Sequence, residues 1–148
     1  GIYSGYEHCE NVPVAHGSEE YLDSEKYEVK QRALDGPLLP FIQTVNEVRR
    51  ANPALQHFAN ITFLDTQNDG LIAYAKQAQG NTVICVVNLD PHHTEEGMVH
   101  VPDHLGLPVA FVAHDLLNEE RHGWHLGGNY VRLEPPFKQA HVFRIEGP

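Results

Sequence analysis

Cysteine is scarce in this 148-residue chain: Cys9 and Cys85 are the only two. They are too few and too far apart for a disulfide framework or a Cys-x-x-Cys metal site, which favours a reduced, cytoplasmic setting. No apolar run approaches the roughly 20 residues that a membrane span needs, and no basic start followed by a short apolar stretch marks a signal peptide. Positive charge is also short, with 10 Lys and Arg against 20 Asp and Glu and a formal charge of −10. That balance repels phosphate backbones and anionic lipid, so neither nucleic acid nor a membrane is an expected partner. An initiator methionine is missing before Gly1-Ile2-Tyr3, which leads to the expectation that an N-terminal portion precedes this chain.

What is present suffices for a core, since 41% of the residues are hydrophobic. The acidity is concentrated before Pro37, where eight carboxylates face Lys26, Lys30 and Arg32. This opening segment has no sustained apolar period, yet it carries Tyr3, Tyr6, Tyr21 and Tyr27 among glycines and acids. Such a composition reads as a long functional loop rather than a linker. Taken alone, its carboxylates read more readily as a solvated acidic face than as acid/base catalysts. Leu38, Phe41, Ile42, Val45 and Val48 then recur at spacings of three and four, with Pro37 and Pro40 in a tolerant first turn and Arg49-Arg50 at the negative end of the dipole. The pattern predicts one amphipathic helix over 38–51, stopped by Asn52-Pro53. A lone helix beside a loop of this length cannot bury its stripe unaided, so the first third is expected to be the end of a larger domain.

Beyond Asn52-Pro53 the apolar period falls from 3.6 to two. Short β-rich runs at 61–64, 71–75, 82–89, 98–101 and 109–113 are separated by Asn68-Asp69-Gly70, Gln79-Gly80-Asn81, Asp90-Pro91 and Gly106-Leu107-Pro108. A three-stranded ribbon follows, running from Asp115-Leu116-Leu117 through a strand on Trp124 and a Gly127-Gly128 turn to Tyr130–Leu133, and Ala140, Val142, Phe143 and Ile145 form the closing strand. The expectation is about eight strands in an antiparallel β-sandwich from Phe58 to Ile145, with the helix packed against it. The corresponding domains are 1–57 and 58–148.

Several side chains invite chemistry and are better explained by packing. His92-His93, His100 with His104, and His122 with His125 lie on separate strands and turns, without a thiolate or a His-Glu-x-x-His pattern, so no metal site is expected. Trp124 reads as a packing residue in preference to a sugar platform. Cys85, inside Val83-Ile84-Cys85-Val86-Val87, reads as buried and inert, and nothing near Cys9 pairs a nucleophile with a base.

The order of loop, helix and sandwich, with Asp-Leu-Leu at 115–117, Trp124, Asn129-Tyr130-Val131, Leu133-Glu134-Pro135 and His141-Val142-Phe143-Arg144-Ile145, resembles the carboxyl end of α-amylase superfamily enzymes (glycoside hydrolase family 13). Gly1 to Glu7, Glu10-Asn11-Val12-Pro13 and the run from Gly17 to Glu28 are more specifically similar to the retaining maltosyltransferases that extend α-1,4-glucans from α-maltose-1-phosphate. The resemblance implies a mainly β domain C, preceded by the terminal loop and last helix of a (β/α)8 barrel. It implies that Lys26 and Tyr27, in Glu25-Lys26-Tyr27-Glu28, contact the phosphate end of the donor, where an ammonium and a phenol hydroxyl suit an anion. It also implies that the aspartate nucleophile, the glutamate acid/base and the orienting aspartate lie upstream of Gly1, so that this chain holds no catalytic residue, needs no cofactor or metal, and is inactive alone. Substrate partners would be maltose-1-phosphate and a glucan acceptor, met through the parent barrel, and a homodimer of the parent stays open. The competing readings are domain C of a hydrolytic α-amylase or trehalose-forming relative, and a non-catalytic carbohydrate-binding sandwich.

Overall fold

The computed structural model describes residues 4–22 and 29–147, and the chain divides into two compact units, Gly1–Glu47 and Val48–Pro148. In the first unit a 3-10 turn at Tyr6–His8 is followed by a loop that doubles back on itself, with Pro13 bridged to Tyr21. The backbone bonds Val14 N–H to Glu20 O (2.8 Å) and Leu22 N–H to Val12 O (2.7 Å) hold the two arms together. Gly36 is required where the chain crosses this turn, because a Cβ there would collide with the Glu7 carbonyl. Leu38 N–H donates to that same carbonyl at 3.1 Å.

Helix α1 spans Leu39–Ala51 with Arg49 and Arg50 in its last turn, within a residue of the predicted start. The helix buries none of its residues, and Phe41 is 57% exposed. Asn52 ends it by turning its side-chain amide back onto Val48 O at 2.8 Å.

The second unit carries eight strands: β1 Ile61–Leu64, β2 Leu71–Ala78, β3 Asn81–Asn88, β4 Glu95–Val101, β5 Ala110–Asp115, β6 Glu120–His125, β7 Gly127–Leu133 and β8 Ala140–Glu146. Every pair is antiparallel. Six strands form one sheet in the order β1-β2-β3-β8-β5-β6, and β4 pairs with β7 in a second. The β2–β3 connection is a two-residue turn with Gln79 (φ 52°) and Gly80 (φ 74°) both left-handed, the twist that an antiparallel hairpin favours.

Between the sheets lies the core, built from Leu71, Ala73, Ile84, Val86, Phe111, Ala113, Trp124 and Phe143 of the larger sheet and Val99, Val101, Val131 and Leu133 of the smaller. Phe143 is its centre, with the Trp124 ring 4.7 Å away. Strand β3 is buried on both faces, which explains its unbroken apolar run: Ile84 and Val86 face the main core, while Val83 and Cys85 form a second cluster with Ala54. Burial pushes the Cys85 thiol upward, away from the reactive thiolate.

One sequence reading needs correction. The Gly127-Gly128 step does not close a hairpin, because β6 pairs with β5 and β7 pairs with β4 in the other sheet. The cause is Asn129: its side-chain oxygen accepts His125 N–H (3.0 Å) and its amide donates to His125 O (2.8 Å) and Gly127 O (3.1 Å). A side chain thus takes the backbone groups a continuing ladder would use, and the strands separate into different layers.

Phe143→Ala is expected to cost about 3–5 kcal/mol, the range for a fully buried phenylalanine. Phe137→Ala, at an 86% exposed position, should cost less than about 0.5 kcal/mol. Urea denaturation of both variants measures the contrast, and similar midpoints would show the core to be centred elsewhere.

Candidate functional site

In the first unit a cavity of about 400 Å³ is lined by His8, Cys9, Glu10, Val12, Tyr21 and Lys30, among others. Its wall is fixed by one arginine. Arg32 Nε and Nη2 grip the two Glu10 oxygens at 2.9 and 2.7 Å, and Nη1 reaches Ser4 Oγ at 3.0 Å. The Arg32 bond holds the Glu10 carboxyl below its usual range, so Glu10 is an ionised anchor and unsuited to donating a proton. His8 Nε2 lies 2.9 Å from Ala33 O, tying the turn to the following extended segment. Lys26 and Tyr27 lie outside the described residues. Tyr21, Leu22 and Lys30, on either side of that stretch, border the cavity.

His122 and His125 share strand β6, His100 lies in β4, and His104 lies in the 3-10 turn that follows β4. His93 Nδ1 meets Asp90 Oδ2 at 2.8 Å in the turn after β3. The His92 backbone N–H and the His93 ring, both bonded to Asp90, pull its carboxyl down to about 2. Among the described residues, no group of three or more His, Cys, Asp or Glu side chains is placed to hold a metal ion.

A buried acid–histidine pair was not foreseen. Asp115, fully enclosed at the end of β5, accepts from His141 Nδ1 at 2.7 Å, Asn118 Nδ2 at 2.6 Å and Leu117 N–H at 3.1 Å. Burial pushes this carboxyl up, but the bonds from His141, Asn118 and Leu117 outweigh it and hold the group below the usual carboxylate range. His141 stacks on Phe143, with ring centroids 4.6 Å apart. Asp115-Leu116-Leu117-Asn118 carried a turn signal, but its partner 26 residues on could not be read from spacing. A second cluster joins His114 Nε2 to Glu119 (3.1 Å) and its Nδ1 to Glu146 (3.2 Å), and Arg144 Nη2 bonds the same Glu146 oxygen at 2.6 Å.

The family described as "GLGE, C-terminal" matches residues 63–145, a stretch that runs from within β1 to the penultimate residue of β8. The chain belongs to this family. Alpha-1,4-glucan:maltose-1-phosphate maltosyltransferase 2 of Streptomyces coelicolor is 45% identical over 157 aligned residues, covering 100% of this chain and 23% of the relative. The Corynebacterium glutamicum maltosyltransferase is 46% identical, covering 97% of this chain and 23% of its own length. The chain therefore spans about a quarter of these relatives. Among solved structures, a noncanonic maltogenic alpha-amylase from Thermotoga neapolitana superposes with a TM-score of 0.66 at 9% identity, covering 97% of this chain and 32% of the amylase. The Geobacillus thermoleovorans alpha-amylase gives 0.60 at 18% identity, covering 80% and 24%. The shared β-rich fold is that of α-amylase-type proteins, and this chain corresponds to only part of each.

Asp115→Ala is expected to cost about 3–5 kcal/mol at neutral pH, because it strands His141 and three further donors, Leu117 N–H, Asn118 Nδ2 and Val142 N–H. Since the folded-state pKa of Asp115 is depressed, its contribution is full above the unfolded value of about 3.9 and is lost as pH falls through the lower folded value. Urea titrations at several pH values should show the gap between wild type and variant closing below about pH 4. A gap independent of pH would mean that the carboxylate charge is not what stabilises this corner.

Proposed function

We propose that this chain is the C-terminal portion of a retaining maltosyltransferase that extends α-1,4-glucans from α-maltose-1-phosphate with release of phosphate. The observation that carries the reading is identity near 45% running through the acidic loop and helix as well as the sandwich. A free-standing carbohydrate-binding module would have no use for the first third, and a hydrolase would have no use for a phosphate contact. The division is at residue 57: loop and last helix of a catalytic (β/α)8 barrel before it, domain C after it. Exposed Phe41 of α1 and, in the second unit, exposed Phe58, Ile61 and Phe63 beside the edge of the larger sheet support apolar surfaces covered in a longer protein.

In this reading the parent forms a β-linked maltosyl-enzyme intermediate on an aspartate carboxylate, phosphate leaves, and the 4-hydroxyl of the glucan's non-reducing end attacks the same carbon to restore the α-linkage. The three carboxylates involved belong to the portion this chain does not span. Lys26 and Tyr27 serve the donor phosphate, the ammonium as a charge partner and the phenol as a hydrogen-bond donor. The cavity bordered by Tyr21, Leu22 and Lys30, which adjoin the Lys26-Tyr27 stretch in sequence, supports this with a preformed concave wall held by the Arg32–Glu10 fork. The setting is cytoplasmic and no cofactor is involved.

The chain alone is expected to release no phosphate from maltose-1-phosphate in the presence of a glucan acceptor, and turnover comparable to a full-length relative would overturn the assignment of the catalytic carboxylates. In the full-length enzyme, Lys26→Ala should lower kcat/KM for maltose-1-phosphate by about 1.5–3 kcal/mol, the range for a hydrogen bond to a charged group. Tyr27→Phe should cost less. An unchanged kcat/KM for Lys26→Ala would remove the donor-site role.

A further inference from the structure

The separation of β6 from β7 leaves a cleft. Each strand is paired on one side only, β6 with β5 and β7 with β4, and residues of both strands line the opening between them. Asn129 sets this geometry at the closed end, where its side chain bonds His125 and Gly127. Two adjoining cavities occupy the opening, of about 500 and 210 Å³, and both are lined by His122, Trp124 and Tyr130. The larger is within the usual size of small-molecule sites. Phe143 and His141 line the smaller one, together with Arg132 and Lys138.

The lining has a particular chemistry. Tyr130 is 58% exposed, but its ring is held in place by the hydroxyl, which donates to Glu96 Oε2 at 2.7 Å. A fixed, accessible aromatic face stacks on an apolar surface at little entropic cost. The cations around it are compensated: Lys138 bonds Glu120 at 2.7 Å, Arg132 lies 3.2 Å from Glu134, and Arg121 lies 3.6 Å from Glu146. With a formal charge of −10 on the chain, an anionic ligand has little to gain here. Uncommitted hydrogen-bonding capacity remains. His125 Nδ1 is used by Leu126 O at 2.6 Å and His141 Nδ1 by Asp115, while Nε2 of each ring has no hydrogen-bond partner among the described residues. His122 Nε2 is enclosed without a hydrogen-bond partner among the described residues, 3.4 Å from Glu120 but out of alignment.

Partnerless imidazole nitrogens, unpaired strand edges and an aromatic ring tethered through its hydroxyl suit a neutral, polyhydroxylated ligand with an apolar face. We propose that the cleft between β6 and β7 binds a short stretch of α-1,4-linked glucan, a few glucose units long, with Tyr130 as the stacking ring. The α-1,4 linkage rests on the function proposed above. The saccharide chemistry rests on the cleft.

The chain has one tryptophan, so its indole N–H resonance is unambiguous and reports directly from the cleft wall. Titrating the 148-residue chain with maltoheptaose to millimolar concentration should shift that resonance. Tyr130→Ala should weaken binding about tenfold or more, while Tyr130→Phe, which keeps the ring, should bind nearly as wild type. β-linked cellohexaose, whose straighter chain presents its faces differently, should bind far more weakly. An indole resonance that does not move, an affinity unaffected by Tyr130→Ala, or equal binding of the two sugars would each overturn the proposal. Failure of the proposed function shows separately, as absence of phosphate release from maltose-1-phosphate by the full-length enzyme, whatever the titration gives.

Discussion

The sandwich depends on the placement of its last strand. Strand β8 is inserted between β3 and β5, and without it the larger sheet would fall apart into the β1–β3 meander and the β5–β6 hairpin. Each residue of this strand serves one face: Phe143 enters the main core, Val142 joins the smaller cluster with Cys85, and His141 reaches the Asp115 carboxylate. These pairings link residues more than fifty positions apart in the case of β3, so their loop-closure entropy must be met by burial across both faces at once. The doubly buried β3 is the element able to do this, and its five consecutive apolar residues are the sequence record of that demand.

Polar side chains, almost all of them enclosed, handle what the ladders leave unpaired. Asn52 ends the helix and accepts from Asn81 at 3.1 Å, while Asn81 Oδ1 accepts from Ala54 N–H at 3.1 Å. Asn88 donates to His93 O and Leu133 O, joining the end of β3 to the start of β4 and the end of β7. Asn129 splits β6 from β7, and Asp115 gathers four donors at the corner between β5 and β8. An asparagine satisfies a donor and an acceptor together, which suits places where a strand must end inside the protein. The same devices shape function: the splitting at Asn129 is what opens the cleft.

The two units divide the functional work. The first holds a preformed wall whose geometry is set by a bidentate arginine–glutamate contact, and the donor-phosphate role proposed for Lys26 and Tyr27 would belong to it. The second supplies the sandwich, with the proposed saccharide cleft at the opening between its sheets.

The sequence by itself determined the number, type and approximate limits of the elements, because apolar periods of 3.6 and two and the Asn, Gly and Pro punctuation are local properties of the chain. It also determined the family, since the runs around Asp115–Ile145 and Gly17–Glu28 are specific in composition and order. The burial of Cys85 was legible because it lies within an unbroken apolar strand pattern, and the packing of Trp124 because a lone tryptophan in a short strand is more often a packing residue than a platform. Only the tertiary structure decided which strand pairs with which. Gly127-Gly128 looks like a hairpin turn until the Asn129 side chain is seen to take the backbone groups of His125 and Gly127. Likewise only the fold brought His141 to Asp115 and Tyr130 to the edge of a cleft, because hydrogen bonds between side chains distant in the chain leave no periodic trace in sequence and exist only once both layers are in place.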